Sequence, residues 1–183
     1  MSSSARVLAR ENPFAVSRLH ALRFRGPRIE DLVLRFDQLG GRAALVGPHG
    51  SGKTTLALEL VRALEERGRT VHSLRITESA PELPPLPERI EAHHVVCLDG
   101  AGHVGWFAWR RFLRSVGDAD VLVTQHAPGR LPTLHRHETS SELLEELVRE
   151  LDPANTIDSH ELFERHRGNV RDALFELYDR ATR

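Results

Sequence analysis

The sequence predicts an α/β fold, in which helices cover both faces of a parallel sheet and a short helical tail follows at the C-terminus. Short apolar runs alternate with stretches of helical periodicity along most of the chain. A glycine-rich turn joins the first strong strand pattern to the first strong helix pattern, and a later apolar run ends in an aspartate. The length of 183 residues fits one domain with a small appendage.

The patterns before the glycine-rich turn are the least regular. Residues 1–13 are polar and predict a loose arm, while residues 19–24 predict a short strand or an irregular lead-in. Apolar residues recur at helical spacing over 29–39 and a Gly-Gly pair follows, which predicts a helix. Alternate positions from 32 to 36 are also apolar, so a strand is the alternative there.

The later patterns are more regular. Strands are predicted over five short apolar runs, at 43–46, 70–76, 94–99, 120–124 and 131–138. Helices are predicted over five longer stretches, at 54–67, 106–116, 140–151, 159–166 and 170–181. Four prolines within 79–87 predict a loop, because proline lacks a backbone donor. We therefore expect an N-terminal arm (1–28), a core (29–151) and a lid-like helical tail (152–183).

Charge and cysteine content exclude several classes of protein. The net charge of −1 gives the whole molecule no clear nucleic-acid or membrane-surface footprint. Residues 138–164 carry nine acids against one arginine, which indicates either solvated helix faces or a surface for a protein partner or self-association. Cys97 is the only cysteine and lies in an apolar run, so we expect a buried thiol and a cytoplasmic protein without disulfides.

The glycine-rich turn carries the most specific chemistry. It fits the pattern G-x-x-x-x-G-K-[ST], whose backbone N–H groups and helix N-terminus bind phosphates. Lys53 is the only lysine among 25 basic residues, and a compact ammonium fits between phosphate oxygens better than a planar guanidinium does. The residues expected to hold the nucleotide are Gly47, Pro48, His49, Gly50, Ser51, Gly52, Lys53, Thr54 and Thr55.

A carboxylate for Mg²⁺ is predicted at the end of the run 95–98. Asp99 follows this run, 46 residues after Lys53 and with one predicted strand between. Together with the Thr54 hydroxyl it offers the oxygen ligands that Mg²⁺ prefers.

With these motifs, residues 43–126 resemble the core of P-loop NTPases of the ASCE division, which includes AAA+ and ABC-type ATPases. The resemblance implies that ATP and Mg²⁺ are the ligands and that Lys53 and Asp99 act in catalysis. In those ATPases a glutamate usually follows the aspartate, but Gly100 stands at this position. Another residue, such as His103, then supplies the base, or hydrolysis is slow, or the reaction is not hydrolysis. A surface histidine is the favoured interpretation of His103.

Two further segments resemble family elements. The strand over 120–124 leads to Thr124, Gln125 and His126, which occupy a sensor-like position, and Gln125 is the candidate that orients a water molecule. The stretch around Gly168 is similar to the G-x-x-R-x-x-L of the AAA+ lid, which makes Arg171 a candidate phosphate contact. A solvated helix face is the alternative for Arg171.

The lone lysine also restricts the base of the nucleotide. Guanine recognition through N-K-x-D needs a second lysine, so ATP is preferred.

The histidines do not form a recognisable metal site. Adjacent His93 and His94 would point to opposite faces of a strand, whereas His135 and His137 would share one face. No second ligand group stands near His135 and His137 at a recognisable spacing, so no metal other than Mg²⁺ is predicted.

Three functions stay open at this stage. The first is a slow or partner-stimulated, Mg²⁺-dependent ATPase. The second is a nucleotide-controlled protein-binding module that uses the acidic segment or the helix with Trp106 and Trp109, which are interpreted as core or interface anchors. The third is a small-molecule kinase, although only Arg130 and Arg136 are available for its lid.

Overall fold

The structure is a computed structural model that describes residues 12–182, except for the side chain of His20. These residues form two compact units. The sheet unit contains residues 24–47 and 52–137, and the helical unit contains residues 48–51 and 138–182 together with 12–23. The division into an arm, a core and a tail at residues 28 and 151 stays a prediction.

The sheet unit contains a parallel five-stranded sheet in the order β2-β3-β4-β1-β5. The strands are β1 (Arg42–Val46), β2 (Thr70–Arg75), β3 (His94–Asp99), β4 (Asp120–Gln125) and β5 (Thr133–Arg136). All five predicted strands are present. The strand β5 is shorter than its predicted range of 131–138, and it begins directly after Pro132, whose nitrogen has no hydrogen to donate to a neighbouring strand.

Helices pack on both faces of this sheet. The helices α2 (Ile29–Gln38) and α3 (Lys53–Glu66) share a core with one alternating set of strand residues: Ala43 and Leu45 of β1, Val95 and Cys97 of β3, and Leu122 of β4. The helix α4 (Trp106–Ser115) shares the opposite core with Ala44 and the other set. Because side chains alternate along a strand, neighbouring residues of β1 enter different cores, and both faces are apolar. The predicted arrangement of helices on both faces is confirmed.

The helix α2 settles the ambiguous pattern near residue 34. Leu32, Val33 and Phe36 are buried, whereas the intervening Leu34 is 54% exposed. This burial follows the helical period, in which positions i, i+1 and i+4 share a face, and not the alternation of a strand. The strand alternative is therefore wrong.

The segment before α2 differs from its prediction. Val16–Ala21 form a short helix, α1, where a strand or an irregular lead-in was predicted from residue 19. Six residues without a side-chain cap leave little periodicity in the sequence. Residues 1–11 of the predicted loose arm lie outside the described residues. Asn12 is fully buried, and its side-chain amide donates to the carbonyl of Tyr178 at 2.9 Å.

Three C-terminal helices complete the helical unit, namely α5 (Ser141–Leu151), α6 (Ser159–Arg165) and α7 (Val170–Ala181). Each begins after a side chain that caps its free backbone N–H groups: Ser140, Asp158 and Asn169 respectively. Their apolar faces form one core with Phe14. Within the described residues, no helix has the length and apolar character needed to cross a membrane.

Candidate functional site

The predicted phosphate-binding lysine lies at the first residue of α3. Lys53 is only 8% exposed, and its Nζ donates a hydrogen bond to the carbonyl of Gly47 at 2.8 Å. Burial lowers the pKa of Lys53, and the nearby Asp99 carboxylate opposes this shift. The ammonium group is therefore held next to the loop backbone, where it is poorly hydrated and gains from an added anion.

The backbone at the start of α3 is open to an anion. Gly52 precedes the helix with φ of 84°, a conformation that residues with a Cβ rarely adopt. No side chain caps the helix, and no acidic residue lies in its first turn. The first N–H groups of α3 thus combine with the positive end of the helix dipole. These are the features that bind phosphate at a helix N-terminus.

The structure brings together the two predicted magnesium ligands. Thr54 lies in the first turn of α3 and Asp99 ends β3, yet the Thr54 hydroxyl lies 3.1 and 3.2 Å from the two carboxylate oxygens of Asp99. Arg75 Nε lies 3.8 Å from the same carboxylate. A hydroxyl and a carboxylate side by side are hard oxygen ligands, so this donor set fits Mg²⁺.

Thr124 supports Asp99 from the neighbouring strand. The strand β4 lies between β1 and β3, so its carboxyl end meets both the loop and Asp99. The Thr124 hydroxyl donates to Asp99 Oδ1 at 2.5 Å and accepts a bond from the backbone N–H of Gly100 at 2.8 Å. Of the three sensor candidates, Thr124 is thus fully used in positioning the carboxylate.

Gln125 has a different environment from Thr124. It is only 3% exposed, and its backbone carbonyl accepts a hydrogen bond from the N–H of Gly47 at 3.2 Å. Within residues 12–182, no protein group forms a hydrogen bond with either its amide nitrogen or its amide oxygen. Buried amides are nearly always paired, so an unpaired one beside the loop marks this side chain as a functional candidate.

Gly100 leaves no room for the missing glutamate. Its φ is 88°, and a Cβ added there would lie 2.1 Å from the backbone carbonyl oxygen of Ile76. The position directly after Asp99 is therefore restricted to glycine in this fold. The ring of His103 lies 5.9 Å from that of His126, whose Nδ1 is 3.4 Å from the carbonyl of Gly47. Both imidazoles therefore lie near Gly47, the first residue of the loop.

The remaining loop residues belong to the helical unit. Pro48 and His49 are exposed, Ser51 is buried, and Gly50 has φ of 68°. A Cβ on Gly50 would lie 1.9 Å from Asn169 Oδ1, so the absence of a side chain permits this close approach to the beginning of α7. Thr55 belongs to the sheet unit and is half-buried.

Arg171 stacks on its own helix. Its guanidinium lies 5.4 Å from the ring centroid of Phe175, one turn further along α7. A phosphate contact by Arg171 stays a prediction. Sequence reasoning missed Asn169, although an Asn three residues before Asp172 at a helix start is a recognisable N-cap signal.

Comparisons with known proteins bear on the fold. No family model matches the chain, and no curated protein matches its sequence. The crystal structure of Cdc6p from Pyrobaculum aerophilum is similar over 92% of this chain, with a TM-score of 0.61 and 16% identity. The chain has a P-loop NTPase-like α/β fold. It spans 64% of the length of Cdc6p.

A second structure is similar at a lower level. The RuvB Holliday junction branch migration motor of Thermotoga maritima covers 81% of this chain with a TM-score of 0.46 and 17% identity, and the chain covers 58% of it. The fold predicted from the sequence is confirmed by the parallel five-stranded sheet and by the similarity to Cdc6p.

Proposed function

We propose that the chain binds ATP with Mg²⁺ and hydrolyses it slowly, or faster when a partner supplies groups that it lacks. The observation that carries this proposal is the contact between Thr54 and Asp99. These residues come from a helix start and a strand end 45 positions apart, and they meet beside the only lysine of the chain. If the contact between Thr54 and Asp99 were purely structural, it would not require the only lysine of the chain beside it.

Each side chain of the site has a part in this proposal. Lys53 donates to phosphate oxygens instead of to the Gly47 carbonyl, and the first backbone N–H groups of α3 bind the same phosphates. Thr54 and Asp99 hold the magnesium ion, which supplies charge neutralisation between the phosphates when it is bound. Thr124 keeps the Asp99 carboxylate in place through its hydroxyl.

Slow hydrolysis follows from the residues near Asp99. Gly100 cannot be replaced by a glutamate without a clash, so a carboxylate base is missing at the usual position. The Gln125 amide is able to orient a water molecule but is too weak a base to accept its proton. We therefore assign Gln125 the role of positioning water and expect catalysis below that of an enzyme with a carboxylate base.

ATP binding and turnover test the proposal directly. We expect Lys53→Ala to weaken Mg²⁺·ATP binding about 10- to 100-fold, because a charge-assisted hydrogen bond contributes about 1.5–3 kcal/mol. Lys53→Arg should also bind weakly, since a planar guanidinium replaces a compact ammonium. Arg62→Ala is the matched control, because Arg62 is an exposed cation on the same helix. Equal binding of a non-hydrolysable ATP analogue by wild type and Lys53→Ala would refute the proposal.

A nucleotide-controlled binding module is the second candidate function. Trp109 is buried in the core, but Trp106 is 59% exposed and Phe107 is 83% exposed at the start of α4. Their rings lie 5.0 Å apart, and the guanidinium of Arg110 lies 4.8 Å from the Trp106 ring centroid. Adjacent exposed aromatics with an arginine are typical of interface anchors.

Gel filtration with and without an ATP analogue tests this second function. A nucleotide-dependent shift in size that disappears in Phe107→Ser would support it. Leu34→Ser is the control, because Leu34 is an exposed apolar residue on a different helix. An unchanged elution volume with nucleotide, at concentrations up to those of the cell, would contradict it.

The kinase function has the least support. Arg130 donates to the carbonyl of Val104 at 2.5 Å, and its guanidinium lies 5.3 Å from the Trp109 ring centroid. It is therefore held against the core of the sheet unit. Arg136 alone would have to act as the arginine of a lid.

A further inference from the structure

Three histidines and a glutamate meet at the amino end of β3. Thr70 of β2 lies opposite His94, so His72, two residues further along β2, points to the same face of the sheet as His94. The two rings are 4.9 Å apart, and His72 Nε2 lies 3.0 Å from His94 Nδ1. This is hydrogen-bonding distance between two imidazoles on an edge strand and its neighbour.

A tight turn places two more side chains beside this pair. The backbone N–H of His94 donates to the carbonyl of Glu91 at 2.9 Å, which closes the chain into a turn just before β3. His93 lies in the turn and not in the strand, so the expected alternation does not apply, and its ring lies 4.5 Å from that of His94. The prediction that the two adjacent histidines point to opposite faces is therefore wrong.

We propose that Glu91, His93 and His94 bind a divalent transition-metal ion of the zinc class, and that His72 positions His94 in this site. One ligand atom from each of the three residues lies within 4.8 Å of the other two. Two imidazoles and a carboxylate favour zinc, nickel or cobalt over magnesium. Three protein ligands leave a fourth position for water in a tetrahedral site.

The ligand atoms of Glu91, His93 and His94 must come closer than 4.8 Å to bind one ion, and rotation of the side chains brings them together. Ligand atoms around a tetrahedral zinc ion are about 3.3 Å apart, given bonds of about 2.0–2.1 Å. The side chains of Glu91 and His93 are 41% and 62% exposed, so their rotation meets little resistance from packing. Glu91 also forms an ion pair with Arg89 at 3.0 Å, but Arg89 is 86% exposed and its contact is easily exchanged for a metal ion.

His72 gives the site its fixed part. Metal-binding histidines usually hydrogen-bond to a second group that sets their orientation. The hydrogen bond between His72 and His94 orients the His94 ring, and both residues belong to strands of the sheet.

The site lies apart from the proposed magnesium ligands. His94 and Asp99 stand at opposite ends of β3, five residues apart, which corresponds to about 16 Å along a strand. Metal binding at Glu91 and His93 also fixes the end of the proline-rich loop to the sheet edge. The proposal is therefore independent of nucleotide binding and can be tested without ATP.

Titration of metal-stripped protein with Zn²⁺ by calorimetry tests the proposal. Wild type should bind one equivalent, and Co²⁺ should produce the visible absorption of a four-coordinate site. We expect Glu91→Gln and His93→Ala to weaken Zn²⁺ binding at least about tenfold, and both exposed substitutions should leave the circular dichroism spectrum unchanged. His160→Asn is the control for general loss of an exposed histidine, and Asp99→Asn controls for binding at the magnesium ligands.

His72 requires its own variants. We expect His72→Phe to weaken Zn²⁺ binding about 10- to 100-fold and to shift the Co²⁺ spectrum, while His72→Gln, whose amide oxygen can still accept a hydrogen bond from His94, should recover part of the affinity. Unchanged Zn²⁺ affinity in Glu91→Gln and His93→Ala would overturn the proposal. Loss of binding only in Asp99→Asn, or no binding by wild type at sub-millimolar Zn²⁺, would overturn it as well.

Discussion

Replacing Gln125 with leucine should stabilise the protein while removing catalysis. The side chain is 3% exposed, and neither polar atom of its amide has a hydrogen-bond partner among the described residues. Leucine has a similar size but no amide to leave unpaired. A buried polar group without a partner costs about 1–3 kcal/mol, so Gln125→Leu should raise the free energy of unfolding by about that amount.

Urea unfolding monitored by circular dichroism measures this change, and thermal unfolding gives a second value. For a chain of this length, the melting temperature should rise by about 2–4 °C for each kcal/mol. Gln125→Asn is the matched variant, because it keeps the amide and removes one methylene, and it should cost about 1 kcal/mol. In the same preparations, Gln125→Leu should bind ATP normally but lose at least about tenfold in turnover.

Two results would refute this reasoning, and they concern different steps. A Gln125→Leu protein that is less stable than wild type would show that the amide is paired in solution. A Gln125→Leu protein with normal turnover would show that the side chain does not orient water. The first result concerns the packing of β4, and the second concerns only the proposed role in catalysis.

Four further predictions follow from the same site. Thr124→Val should lower the free energy of unfolding by about 2–4 kcal/mol, because Asp99 loses a hydrogen-bond donor and the backbone N–H of Gly100 loses its acceptor. Thr124→Ser keeps the hydroxyl and should cost about 1 kcal/mol, so equal losses for the two variants in urea unfolding would contradict this prediction. Gly100→Glu should destabilise the fold by at least about 2 kcal/mol without faster turnover, and a stable, faster enzyme would be the contrary result. Burial raises the pKa of the Cys97 thiol to about 12, so a disulfide reagent should label it only after unfolding, and rapid labelling of native protein would contradict this. Phosphate raises the lowered pKa of Lys53, so ATP binding at alkaline pH should take up protons in wild type but not in Lys53→Arg. Calorimetry in two buffers measures this uptake, and equal uptake by both proteins would count against the prediction.

The sequence predicted the sheet and most helices because their patterns are long and strongly periodic. The runs that became β3 and β4 are apolar throughout, as expected for strands covered on both faces. The helix α1 was missed because its six residues span less than two turns and carry no cap. The ambiguous α2 shows the limit of periodicity, since the burial of Val33 and the exposure of Leu34 in the structure were needed to distinguish a helix from a strand.

The candidate site was predicted as far as residue types and spacing allow. Parallel strands bring their carboxyl ends to one edge, so the meeting of Thr54 and Asp99 could be expected. The order of the strands could not, and this order is what makes Thr124 a partner of Asp99. The backbone conformation of Gly100 also depends on a tertiary contact, the close approach of the Ile76 carbonyl, that no local pattern carries.

The single lysine makes the loop chemically addressable. Because every other basic side chain is arginine, reductive methylation with ¹³C-formaldehyde would place a label on only one side chain, at Lys53. Lys53 is only 8% exposed and its Nζ donates to the carbonyl of Gly47, so the rate of labelling would report how often the loop opens. The resulting NMR signal would respond to phosphate at the position where the chemistry is proposed to occur. A chain with lysines over its surface would offer no such reporter.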